Sequence, residues 1–213
     1  MIDRARKPGR TAAEFIPDTD DMARLAKAVQ RCRGCDLYKR ATQAVFGQGP
    51  PDARVVMVGE QPGDQEDQVG LPFVGPAGRL LDEALEEAGI DRGLVYLTNA
   101  VKHFKWTPSG KRRLHAKPSA RELAACRPWL EKELEVIEPQ FIVCLGASAA
   151  QSLLGSAFRI TKERGKILKT DWAPGLMATY HPSAILRAPD PDSRHEMRKL
   201  FVSDLRKVAR RLR

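Results

Sequence analysis

Apolar residues recur along the 213-residue chain with two alternating periods. The segments RVVMVGE (54–60), VYLTNAVK (95–102), QFIVCLG (140–146) and GLMATYHPS (175–183) are short apolar runs that end in polar turns, the pattern of buried strands. Helical spacing falls between and around them. Leu80, Leu81, Ala84, Leu85 and Ala88 form a stripe from Ala77 to Ala88, and Gly89 stands where a left-handed residue ends a helix. Ser119 and Glu122 form a capping box for a helix running to Ile137, and GASAAQSLLG continues the third strand as another helix. Met197, Leu200, Phe201, Leu205, Val208 and Leu212 share one face of a helix beginning at Ser193. Upstream, Met22, Leu25, Ala26 and Val29 predict a helix from Asp18 to Arg31.

Strands alternating with helices predict a single-domain, three-layer α/β/α fold around a central four-stranded parallel sheet. The domain is expected over residues 18–213, after a flexible basic arm at 1–17. Binding sites of such folds lie beyond the C-terminal ends of the strands. Here those ends carry Glu60, Gln61, Asn99 and His181, and the basic loop GKRRLHAKPS (110–119) follows the second strand closely.

Composition narrows the function. A 42% hydrophobic content supplies one core, and no run of about 18 apolar residues predicts a membrane span. No apolar segment follows the basic N-terminus, so a cytoplasmic protein is expected, without a secretory signal. The 36 Lys and Arg against 27 Asp and Glu leave a net charge of +9, which favours a polyanionic partner without choosing among DNA, RNA and anionic lipid. The four cysteines, Cys32, Cys35, Cys126 and Cys144, begin with a C-x-x-C. In a cytoplasmic chain that spacing suits a metal site, and it leaves zinc and an iron–sulfur cluster equally open.

GEQPGDQED (59–67), GLPFVGPAG (70–78), LTNAVKHF (97–104) and HPSAILR (181–187), with the four cysteines interleaved, form an ordered set. With that set the chain resembles the iron–sulfur uracil-DNA glycosylases of family 4 over roughly residues 22–212. Two features are similar to the UdgX branch of that group. Gln61 stands where the family 4 motif usually has Ala, and the inserted KRRLH ends in His115, with Leu114 replacing the usual Ile. UdgX proteins excise uracil and stay covalently attached to the DNA.

The resemblance implies roles for particular residues. Phe73 stacks on a uracil flipped from the strand, or taken from single-stranded DNA, the expected preferred substrate. Asn99 reads the base edge through an amide that offers both donor and acceptor. Gly59, Gln61, Gly63 and Asp67 belong to the substrate-binding motif. His181 donates to uracil O2 as charge develops there. His115 captures C1′ of the sugar with Glu60 against its other nitrogen, where an ordinary family 4 enzyme uses water and releases its product. Lys111, Arg112 and Arg113 oppose protonation of His115 if they lie close, and they contact DNA phosphates or, for the two arginines, pair with Asp64 or Asp67. Ser183 holds a phosphate, and Arg187 lies at the DNA surface.

All four cysteines are then ligands of a structural [4Fe–4S] cluster, while His103 and His195 are surface residues. Trp106, Trp129 and Trp172 serve packing or loop anchoring. The expected partners are uracil-containing DNA and the released base, with no membrane, and the expected state is a monomer associated with the nucleoid when acting.

Overall fold

The computed structural model describes residues 10–212. A 3-10 turn at Ala12–Phe15 leads to α1 (Met22–Val29), whose first N–H groups are capped by Asp21, and a second 3-10 turn spans Asp36–Lys39. The central strands begin with β1 (Val55–Gly59), followed by α2 (Asp64–Val69), α3 (Pro76–Ala88) and β2 (Val95–Asn99). Next come two short strands, β3 (Trp106–Ser109) and β4 (Arg112–His115), then α4 (Ala120–Ile137), β5 (Phe141–Leu145) and α5 (Ala147–Leu154). The chain ends through α6 (Ile160–Glu163), β6 (Ile167–Thr170), β7 (Ala173–Thr179), α7 (Pro182–Leu186) and α8 (Pro191–Ala209).

The main sheet has five strands in the order β2-β1-β5-β7-β6, not the expected four. The first four are parallel, and β6 runs antiparallel to β7 at the edge. Its sequence ILKT is too short and too polar to announce a strand, and pairing with β7 makes it one. Residues alternate across the sheet with the period of two. Val55, Met57, Val143 and Leu145 face α3, α7 and α8, whereas Val56, Val58, Ile142 and Cys144 face α4 and α5. A third apolar cluster joins Ala12, Leu25, Val29 and Cys32 to Cys126 and Trp129 of α4. The basic arm expected over residues 1–17 lies mostly outside the described residues. Its described end is no free arm, because Ala12 is fully buried in that third cluster.

Between β2 and α4 a buried Lys102–Glu133 ion pair carries further bonds. Glu133 accepts from Tyr96, Thr98 and the Gly47 N–H, and Lys102 also donates to Thr98 and the Asn99 carbonyl. This network holds the C-terminal end of β2 in register with α4. The first connection leaves β1 for β2 on one side, and β5 lies on the other, so the loops after β1 and β5 diverge and open a crevice. No described helix is long and apolar enough to cross a membrane.

Candidate active site

The crevice is a cavity of about 830 Å³ lined by Glu60, Gly63, Phe73, Asn99, His115, His181, Ser183 and Arg187, among others. Glu60 follows β1, Asn99 ends β2, and His181 follows β7 as the N-cap of α7. Strand ends thus deliver three of its polar groups, as the parallel pattern predicts.

Gly59 ends β1 beside Asn99 and Phe73. A Cβ there would come within 2.3 Å of Asn99 Oδ1 and 2.8 Å of Phe73 Cζ, so its missing side chain lets the amide and ring pack together. Phe73 adopts a left-handed backbone (φ 57°) and stacks toward His181 with ring centroids 6.2 Å apart. Glu66 maintains that turn, accepting from Gly63 N at 3.1 Å and Gly75 N at 2.9 Å. Sequence reading missed Glu66, although its three-residue spacing from the α2 N-cap, Gly63, is that of a capping box.

His181 Nδ1 accepts from the Ser183 N–H at 3.1 Å and lies 2.5 Å from Ser183 Oγ. Ser183 therefore orients the ring, where a phosphate contact was expected of it. Burial, then the charges of Arg187 and His115, push His181 down to about 4, so the ring is neutral at pH 7. With Nδ1 accepting, the proton resides on Nε2, an assignment made from the hydrogen bonds. A neutral imidazole thus presents one N–H donor.

The basic loop is a β3–β4 hairpin turned at Gly110 (φ 57°), with Trp106 opposite His115. Two sets of bonds dock it. Gln61, 6% exposed, donates to the Lys105 and Ala116 carbonyls at 3.1 and 3.2 Å and accepts from Lys105 N at 3.1 Å, clamping both strands at their base. Arg113 donates to Asp64 and to Asp67 at 2.6 Å each, and its guanidinium lies over the Phe104 and Trp106 rings. Trp106 anchors the loop further through an indole bond to the Arg40 carbonyl.

This decides the role of Arg113, which pins the hairpin. Asp67 is fully buried, bound to Thr42 and Arg113, and serves the loop where substrate contact was expected. Lys111 and Arg112 are exposed at the hairpin tip.

His115 ends β4 with Nε2 at 3.4 Å from Glu60 Oε1. Its pKa is lowered chiefly by burial, against the pull of the Glu60 carboxylate and with the help of the Arg187 charge. The cation acting on this ring is Arg187, not the three residues of the basic run; Arg113 is already paired with aspartates.

Cys32, Cys35 and Cys126 gather where the chain leaves β2, beside α4, near enough that the charge of Cys32 adds to the rise of the Cys35 thiol and the charges of both to the rise of the Cys126 thiol. Cys126 Sγ accepts from Lys102 N at 3.2 Å, and burial foremost pushes its thiol up to about 12. Cys144 does not join them. It lies in β5 within the apolar cluster between sheet and helices, and burial alone raises its thiol to about 12. Among the described residues no three His, Cys, Asp or Glu side chains close around a single ion. His103, expected at the surface, is 5% exposed and lines a cavity of about 800 Å³ with Cys32. Trp129 Nε1, in the same apolar cluster as Cys126, is the one buried side-chain donor without a partner among the described residues.

The profile of the uracil DNA glycosylase superfamily matches residues 46–206. The chain is similar to the type-4 uracil-DNA glycosylase of Thermotoga maritima, with 40% identity over 187 residues covering 86% of this chain and 91% of the relative. The type-4 uracil-DNA glycosylase of Archaeoglobus fulgidus is 38% identical over 191 residues, covering 86% and 89%. A type-5 uracil-DNA glycosylase of Thermus thermophilus is 34% identical over 159 residues, covering 65% and 68%.

Proposed function

The chain belongs to the uracil DNA glycosylase superfamily, and on that premise we propose that it excises uracil from DNA and then retains the sugar carbon covalently on His115. Uracil-DNA glycosylase activity follows from the family; covalent capture is the finer reading. The observation that carries it is the His115–Glu60 pair, 3.4 Å apart in the same cavity as Phe73, Asn99 and His181.

The flipped base enters between the Phe73 turn and His181, with the Asn99 amide at its edge. As the C1′–N1 bond breaks, its electron pair moves onto uracil, and the Nε2–H of His181 stabilises the charge at O2. A neutral donor suits this task because it does not protonate the leaving base outright. The cationic C1′ is left facing the hairpin. Nδ1 of His115, the ring nitrogen not paired with Glu60, supplies a lone pair and forms the new C1′–N bond. The glycosyl-imidazolium so formed passes its remaining N–H proton to Glu60. The resulting neutral N-alkyl imidazole is a poor leaving group, so the adduct lasts. Arg187 at the rim and the excess positive charge of +9 attract the phosphate backbone.

The thiols of Cys32, Cys35 and Cys126 would hold an iron–sulfur cluster, which would supply structural cross-linking between the N-terminal segment and α4. Their donor chemistry fits a soft iron–sulfur group, and the unpartnered Trp129 N–H suits an anionic sulfur acceptor in the same cluster.

The second reading is an ordinary glycosylase with turnover, favoured by the type-4 names of the relatives above and by the 48% exposure of the His115 side chain, which leaves room for water. Single-stranded DNA with one uracil, run on a denaturing gel after heating in detergent, separates the two. A shifted band that disappears in His115→Ser, with free abasic product taking its place, is expected. Abasic product exceeding one per protein in the wild type, with no shifted band, would refute capture.

A further inference from the structure

We propose that Trp106, gripped by Arg40, is a positioning residue for covalent capture, steadying the hairpin so that the His115 ring stays against Glu60. This rests on the reading that His115 captures C1′.

His115 does little to hold itself. Its side chain is 48% exposed, and among the described residues its polar partner is Glu60 alone, at 3.4 Å. The Phe104 ring borders the imidazole at 6.2 Å, tilted by 47°. The place of the ring is therefore set by the hairpin that carries it. β3 and β4 share four residue pairs, and a two-stranded ribbon of that size is marginal in water and twists readily. It needs outside anchors. Gln61 supplies one at the base, on Lys105 and Ala116, and Arg113 supplies another nearer the tip. Neither lies directly across from His115.

Trp106 does. It pairs with His115 in the strand register, so both side chains stand on one face of the ribbon. Its indole N–H donates to the Arg40 carbonyl at 2.9 Å, and the Arg40 guanidinium lies 4.3 Å from the ring centre. A hydrogen bond and a cation–π contact thus hold one side chain through one residue. The Arg113 guanidinium also lies over this indole, at 5.6 Å, which joins the two anchors.

Arg40 can serve in this way because its segment is itself tied down. The N–H groups of Arg40 and Ala41 donate to the Leu37 carbonyl, and Ala44 exchanges two bonds with the Gln30 side chain. Between these ties, Thr42 bonds to Asp67, and Gln43 donates to the Asp67 and Gln68 carbonyls of α2. Residues 40–44 therefore grip the hairpin and the helix bearing its aspartates together. Phe73, Asn99 and His181 come from other segments, so loosening Trp106 should cost capture and spare excision.

The test compares the full-length wild type with Trp106→Leu, Trp106→Phe and Arg40→Gln on single-stranded DNA bearing one uracil. Adduct is read on a denaturing gel, free abasic product by alkali cleavage, and adduct formation is followed across pH. Trp106→Phe keeps the ring and loses the N–H donor, whereas Arg40→Gln keeps the carbonyl acceptor and loses the cation. Each should slow adduct formation about threefold, and Trp106→Leu, which loses both contacts, about tenfold. Total excision should stay near the wild-type rate in all three. In Trp106→Leu the pH midpoint of capture should rise toward the ordinary 6.5, because burial is the largest influence lowering it and a loosened ring loses burial. A mere loss of folded protein would lower the amount of adduct and leave that midpoint in place. Wild-type capture by Trp106→Leu, or an unmoved midpoint, overturns the assignment. So does a parallel fall of excision and adduct in Arg40→Gln, which would make that arginine a DNA contact. Wild-type protein that releases abasic DNA without any adduct would instead defeat the capture reading, and the positioning role with it.

Discussion

Replacing Arg113 by methionine separates hairpin docking from base excision. Methionine keeps apolar contact with the Phe104 and Trp106 rings while removing the guanidinium. Two charge-assisted bonds of 2.6 Å are lost, one to Asp67 (0% exposed) and one to Asp64 (45% exposed). The buried bond is worth about 1.5–3 kcal/mol, whereas the exposed one is screened to about 1 kcal/mol or less. Asp67 keeps its bonds from Thr42 N and Oγ1, which limits the penalty of leaving that carboxylate unpaired. The net loss of docking energy is about 2–3 kcal/mol, equivalent to roughly 30- to 150-fold. Because the Gln61 clamp remains, the lower end applies, and the rate of adduct formation is expected to fall about 30-fold. Uracil release should change far less, since Phe73, Asn99 and His181 belong to other elements. The assay counts both products from one single-turnover reaction: the heat-stable protein–DNA band, and strand breaks after alkali for free abasic sites. A thermal melt checks that the fold persists. If the Arg113→Met protein formed adduct within about threefold of the wild-type rate, docking by the aspartates would not be what presents His115.

Three further outcomes are expected. The ratio of adduct to free abasic product should rise with pH as His115 loses its proton, with a midpoint below the ordinary 6.5. Arg187→Gln should move that midpoint up and Glu60→Gln should move it down; both moving together would contradict the assignment of charges. Gly59→Ala should abolish most uracil excision at unchanged secondary structure, because its Cβ would intrude on Asn99 and Phe73; wild-type excision would show that they are not held this way. Glu133→Ala leaves Lys102 buried without its counter-ion and should cost about 3–5 kcal/mol, a fall in Tm of roughly 10 °C given about 2–4 °C per kcal/mol for a chain of this size. A melt lowered by only about 3 °C would show that the pair contributes little.

Much of the frame was legible beforehand because it is written in local patterns. The capping box at Ser119 and Glu122 starts α4, and Gly89 in the left-handed region ends α3, as their residue types require. The apolar runs at 54–60, 95–102, 140–146 and 175–183 all contain sheet strands, because strands buried on both faces are continuously apolar. β6 and the β3–β4 hairpin were missed, since their residues are mostly partly buried or exposed and carry no apolar signature. Expecting a loop at KRRLH was reasonable locally; the turn at Gly110 and the Gln61 and Arg113 contacts make it a docked hairpin.

The sequence alone determined the alternating fold, the strand ends that carry Glu60, Asn99 and His181, and the family to which their motifs belong. The first two follow from periodicity and residue type, which act over one or two turns of chain, and the family from the resemblance of the ordered motifs. Only the tertiary structure decided that Arg113 meets Asp64 and Asp67, that Ser183 serves His181, and that Arg187 is the cation acting on His115. It also separated Cys144 from the other thiols and buried His103 beside them. A strand's period of two fixes which face a side chain points to, but the residues waiting on that face come from distant segments. Their proximity is set by how helices and loops pack over the sheet.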